Sequence, residues 1–237
     1  VAAIVNANQI MNLVIIVLSM ASTAVTVILS QYLGAQDEKN ASRTCMVSLV
    51  LIGGVSLAAT ILVFAGHTPL YRAIHVPEEV FDEASLYLLI VGAFILVQGL
   101  YLTFSAMIRA FAMVKEVMII SVIMNAMNIV GNAILINGWF GMPQLGAVGA
   151  AISTDISKLV GLALMIGMFF KSRRVKMGMS YLRPFPVQIL KNLCLLAIPT
   201  GVESFSYTLS QMIILGIVNS FGTLVTVTKG YCTIFAN

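Results

Sequence analysis

Residues 117–154 read VMIISVIMNAMNIVGNAILINGWFGMPQLGAVGAAIST, a run without one Asp, Glu, Lys or Arg. At about 1.5 Å rise per residue, such a run as helix is far longer than the about 30 Å hydrocarbon core of a bilayer, so it must turn back once. It is too long and too uniformly apolar for barrel strands, which alternate polar and apolar over about ten residues. Backbone in lipid has to satisfy its own hydrogen bonds, which leaves a pair of membrane-spanning helices.

Further charge-free runs lie at 1–36, 84–108 and, apart from neutral His67, 44–71. They predict an all-α membrane protein, a polytopic helical bundle with helices at about 2–32, 44–66, 84–108, 117–137, 146–170, 191–219 and from 225 onward. Hydrophobic residues make up 59% of the 237 and charged residues 9%; mean hydropathy is +1.01. Against a soluble average of about one quarter charged, this excludes a soluble globule, a disordered chain and a nucleic-acid binder. Three Cys without a C-x-x-C and two His leave no disulfide framework and no metal-ligand cluster. A start at Val1-Ala2-Ala3 and a stop inside an apolar run at Phe235-Ala236-Asn237 predict a piece of a longer protein.

The basic residues sort by loop. Lys39 and Arg43, then Arg109 and Lys115, then Lys171, Arg173, Arg174, Lys176, Arg183 and Lys191 fall in the odd loops, against Arg72 alone in the even ones. By the positive-inside rule the odd loops face the cytoplasm of a cell membrane. The second loop, Gly66 to Phe81, holds both His and reads as a solvated outer turn. The fifth, around Tyr181-Leu182-Arg183-Pro184-Phe185-Pro186, reads as a surface-lying linker.

Polar side chains within spans are costly unless they meet protein or water. Asn8, Asn12, Ser19, Ser22, Thr26 and Ser30 share one face of the first helix, as interhelical packing or as a cavity wall. Ser121, Asn125, Asn128 and Asn132 share a face of the fourth predicted helix. Such amides either ligate a hard cation such as Na⁺ or bond a neighbouring helix. Gly146-Ala147-Val148-Gly149-Ala150-Ala151-Ile152-Ser153-Thr154 opens the next helix with small residues that allow close approach. Counted from the turn, Asn132 lies about 8 Å deep, Thr154 about 12 Å and Asn128 about 14 Å, so all three come to a similar level. Asp155 and Lys158 stand three apart and are expected to pair. Glu203, Tyr207 and Gln211 form an i, i+4, i+8 stripe just after Pro199, with no basic partner within a turn of Glu203. No G-x-S-x-G, H-E-x-x-H or P-loop motif occurs, which argues against an enzyme or an ATP-driven pump.

Five motifs in order resemble the multidrug and toxic compound extrusion (MATE) family: Ser30-Gln31-Tyr32-Leu33-Gly34-Ala35; the Arg109–Glu116 turn; Asn128-Ile129-Val130-Gly131-Asn132; Gly141-Met142-Pro143-Gln144-Leu145-Gly146 through Gly149-Ala150-Ala151-Ile152-Ser153-Thr154; and Ile198-Pro199-Thr200-Gly201 with Glu203. The resemblance implies a fold of twelve helices in two lobes. Residues 1–170 would supply the N-terminal lobe without its first helix, 171–190 a cytoplasmic linker, and 191–237 the start of the C-terminal lobe. It implies that Asn128, Asn132 and Thr154 match a cation site, where some members carry Asp in place of Asn132. Glu203 matches the seventh-helix acid approximately; several members place it a turn later, at the position of Tyr207. Asn8, Asn12, Asp155 and Gln211 join Glu203 and Tyr207 as coupling or substrate-cavity candidates.

The expected function is secondary antiport: export of small organic, often cationic, molecules against H⁺ or Na⁺, with no cofactor, by a monomer in the lipid bilayer. A flippase for lipid-linked sugars, from the same superfamily, is the alternative; its pyrophosphate substrate calls for a basic cavity, and the spans hold only Lys158 and Lys229. A membrane-embedded structural or enzymatic subunit is the alternative from another class.

Overall fold

The computed structural model describes the backbone of residues 2–73, 78–138 and 144–220. The expected helix from residue 225 lies outside the described residues, as do the side chains of Asn8 and Gln211. Seven α-helices follow in order among the described residues: α1 (Ala2–Gly34), α2 (Glu38–Ala73), α3 (Glu78–Ala93), α4 (Ile95–Ala110), α5 (Val114–Asn137), α6 (Gly146–Ser172) and α7 (Val187–Ser220). Four of them contain segments long and apolar enough to cross a membrane: Val14–Gly34, Glu38–Ala65, Val114–Ile136 and Val148–Ser172.

The helix expected at 84–108 is two helices, α3 and α4, broken at Phe94 (φ −98°, ψ 8°). The amide of Phe94 reaches back only three residues, to Val91 O at 3.2 Å. Two residues earlier, Gly92 lies so close to α2 that a Cβ there would sit 2.7 Å from Val63 Cγ1. The break thus falls two residues after a glycine packed closely on α2, where no proline marks the place. The second loop is also shorter than expected, since α2 runs on to Ala73 and α3 starts at Glu78.

The chain forms two compact units, 1–197 and 198–237. In the first, α1, α2, α3 and α4 pack mutually; α6 packs on α3 and α4; and α5 lies mainly on α6. The core holds Leu18, Val25 and Leu29 from α1, Ile52 from α2, Met107 from α4 and Met165 from α6. At one end Phe169 of α6 packs against Phe104 and Phe111, with ring centroids 5.3 and 5.6 Å away. The outer face of α5 exposes Met118, Val122, Ile129 and Val130, as suits a helix in contact with lipid.

Helix ends follow local chemistry. Asp37 caps α2: its carboxylate accepts the Asn40 amide N–H at 3.0 Å and the Asn40 side chain at 2.7 Å. Those two bonds hold the Asp37 carboxyl below its ordinary pKa. α5 stops at Gly138, whose φ of 72° favours glycine and whose N–H bonds Ile134 O at 2.9 Å. The segment between α6 and α7 is not a free strap. It holds a 3₁₀ turn at Met179–Leu182. The Lys176 amide donates to Ser42 Oγ of α2 at 3.2 Å, and Val175, Met177 and Leu182 pack on the core.

Candidate cation site

The α5–α6 seam is built on small residues. On α6, Gly149, Ser153, Ser157 and Gly161 recur every four residues, so they share one face. A Cβ on Gly149 would lie 2.6 Å from Leu135 O and 2.8 Å from its carbonyl carbon, which is backbone against backbone. A Cβ on Gly131 would collide with Ser153 Oγ, and one on Gly161 would meet Met124 Sδ at 2.9 Å. The absence of side chains is what allows the two helices to touch.

This contact brings Asn128, Asn132 and Thr154 together. Asn132 Nδ2 donates to Asn128 Oδ1 at 3.2 Å, and Asn128 Nδ2 donates to Thr154 Oγ1 at 3.0 Å. The Thr154 hydroxyl then donates to Ala150 O at 2.8 Å. Ser153 Oγ donates to the Asn128 carbonyl at 3.1 Å, tying the two backbones at the same level. From Asn132 through Asn128 to Thr154 each side chain donates to the next, and Asn132 Oδ1 is left at the head of this relay, buried and without a hydrogen-bond partner among the described residues. A buried amide oxygen without a donor is costly and is a hard ligand suited to a monovalent cation or a proton donor.

The other expected residues fall elsewhere. Asn125 is exposed, and Ser121 bonds the Tyr101 hydroxyl of α4 at 3.1 Å, so the amide stripe divides between two neighbours. Asp155 is 1% exposed. At about 100° per residue it stands across the helix from the Gly149–Gly161 stripe, and so away from α5. Among the described residues neither of its carboxylate oxygens has a hydrogen-bond partner, so the expected pair with Lys158 is not joined by a hydrogen bond. Asn12 is exposed on α1. Glu203 is exposed on α7, and Tyr207 is 67% exposed there.

Two features went unread in the sequence. Ser157 and Gly161 continue the small-residue stripe that runs from Gly149 through Ser153, and their four-residue period was available to find it. An apolar groove of about 410 Å³ runs along the opposite edge of the seam, lined by Met127, Val130, Ile134 and Ile156 with Ser153 and Ser157; Asn128, Asn132 and Thr154 do not line it.

Comparison with known proteins agrees with this architecture. The profile of the MatE family matches residues 1–134. The uncharacterized transporter YisQ of Bacillus subtilis is 36% identical over 98% of this chain and 51% of its own length. The probable multidrug resistance protein NorM of Thermotoga maritima is 27% identical over 85% of this chain and 43% of its own. The chain thus spans about half the length of the curated relatives it matches. Among solved structures, an outward-facing multidrug resistance MATE transporter superposes with a TM-score of 0.82 at 21% identity, covering 92% of this chain and 48% of that one. An inward-facing one gives 0.77 at 22% identity, covering 95% and 51%. With an all-helical membrane fold and more than half of its length matched by that profile, this chain belongs to the MATE family of multi-pass membrane transporters, which are not enzymes.

Proposed function

We propose that this chain carries the cation-coupled lobe of a secondary antiporter that exports small organic, often cationic, compounds in exchange for Na⁺ or H⁺. The observation that carries this reading is the Asn132–Asn128–Thr154 relay with its one unpartnered acceptor, Asn132 Oδ1. A cation at that oxygen gains a ligand in a low-dielectric setting. Its binding favours one access state while the organic compound favours the other, so each drives the other across. The apolar groove beside the seam, with Met127 on its wall, suits an adaptable contact with hydrocarbon parts of the cargo. Asp155, Glu203, Tyr207 and Gln211, with Asn8 and Asn12, remain coupling or cavity positions in this reading. The protein works as a monomer, with the basic loops on the cytoplasmic side. Likeness to relatives named for multidrug resistance supports organic cargo.

Ethidium efflux from vesicles holding the full-length protein tests this under separate Na⁺ and H⁺ gradients. Efflux is expected to need one of the two gradients and to be lost in Asn128→Ala. Efflux that continues after both gradients collapse ends the proposal.

A further inference from the structure

The segment joining α6 to α7 carries a charge pattern the transport reading does not use. Lys171, Arg173, Arg174, Lys176, Arg183 and Lys191 are all exposed. No acid occurs anywhere between Asp155 and Glu203. Along the same stretch Met179 is 76% exposed, Phe185 42% and Val187 64%. The stretch is nevertheless fixed in place, because Val175, Met177 and Leu182 pack inward and the Lys176 amide holds Ser42. A solvated hinge has no need of inward anchors together with outward methionine and phenylalanine. The segment has inward apolar, outward apolar and outward basic groups, which is the arrangement of a strap lying in a membrane interface.

A hollow of about 510 Å³ opens beneath it, where α1 ends and α2 begins, lined by Leu33, Gln36, Glu38, Arg173 and Arg174. The two guanidiniums can present paired N–H donors to a phosphate. The Glu38 carboxylate in the same lining disfavours a free, highly charged anion, and Leu33 adds an apolar group to it.

We propose that the 171–191 segment is an interfacial anchor that binds the phosphate headgroups of anionic phospholipids through Arg173 and Arg174, while Met179 and Phe185 enter the lipid. This rests on the cytoplasmic placement of the basic loops, since the anionic lipids of that leaflet attract polybasic segments at the surface. It does not depend on the coupling ion or on transport.

The test uses full-length protein in nanodiscs, comparing Phe185→Trp with its parent so that other tryptophans cancel. Brominated phosphatidylglycerol is expected to quench the added tryptophan more strongly than brominated phosphatidylcholine. Arg173→Gln with Arg174→Gln is expected to reduce the preference for the anionic lipid about fivefold or more. Inorganic phosphate should not compete, and added salt should weaken the preference in the unneutralised protein; this last measurement serves even where the double variant does not fold. Equal quenching by both lipids, or a preference that survives both salt and neutralisation, overturns the anchor. Displacement by inorganic phosphate overturns it in favour of a soluble-anion site.

Discussion

The α1–α4 and α5–α6 seams use the same polar residue types to different ends. Between α1 and α4, Ser22 Oγ donates to Leu102 O at 3.0 Å, Thr26 Oγ1 lies 3.3 Å from Ala106 O, and Arg109 Nη2 reaches Ser22 Oγ at 3.4 Å. These hydroxyl contacts run out on a main-chain carbonyl, and the network closes. Between α5 and α6, two amides stand among the hydroxyls, and their relay leaves Asn132 Oδ1 over. A hydroxyl can give and receive at one atom, so it is easily absorbed into packing. An amide brings a separate oxygen that requires its own donor. Closed networks hold helices together, whereas an open one offers a place for something to bind.

The sharpest attempt to break this contrast is Gly149→Leu. Its Cβ falls against the Leu135 backbone, which cannot swing aside, so a loss of about 1–3 kcal/mol from overpacking should appear as a lower Tm in detergent. An unchanged Tm would mean that the α5–α6 seam is looser than described. Asn128→Ala comes next. It removes two side-chain bonds, each worth about 0.6 kcal/mol on average for membrane helices. It should also abolish ion-dependent efflux, a much larger functional effect than its stability cost. Thr26→Val is the control in the closed seam: a cost of about 0.6 kcal/mol in thermal unfolding, with efflux and its ion dependence unchanged. If Thr26→Val damages coupling as much as Asn128→Ala does, the distinction between the seams fails.

The smallest effect concerns the cap of α2. The native Asp37 carboxyl titrates below its unfolded value, so its stabilising contribution is complete above the unfolded pKa. It is lost as pH falls through the lower native one. A Tm series on the acid side should therefore show a decline below about pH 4 that Asp37→Asn lacks. An identical acid limb in both proteins would remove the cap from the account.

Much of this was legible in the sequence because two signals were strong. Charge-free runs of span length fix the helices, and spacings of three and four residues put Asn128 and Asn132 on one face. Depth counted from the intervening turn placed Thr154 level with them, and the hydrogen bonds join all three. The break at Phe94 was not legible: no proline marks it, and the nearby Gly92, which lies close against Val63 of α2, is as compatible with an unbroken, tightly packed helix. The fate of Asp155 was not legible either. Its spacing from Lys158 permits a pair, but tertiary packing decides which way each side chain is held. The MATE resemblance came from motif order, which the family profile supports over residues 1–134.

The near-contact of main chains at Gly149 and Leu135 has a mechanical result. Sliding α6 along α5 by about one turn would bring Ser153, which carries a Cβ, towards the carbonyl that Gly149 now clears. Such a step is sterically opposed at this seam, which favours the two helices keeping their register. Flexing during a transport cycle has to be sought at other joints, with any occupant of the asparagine relay carried along as a passenger.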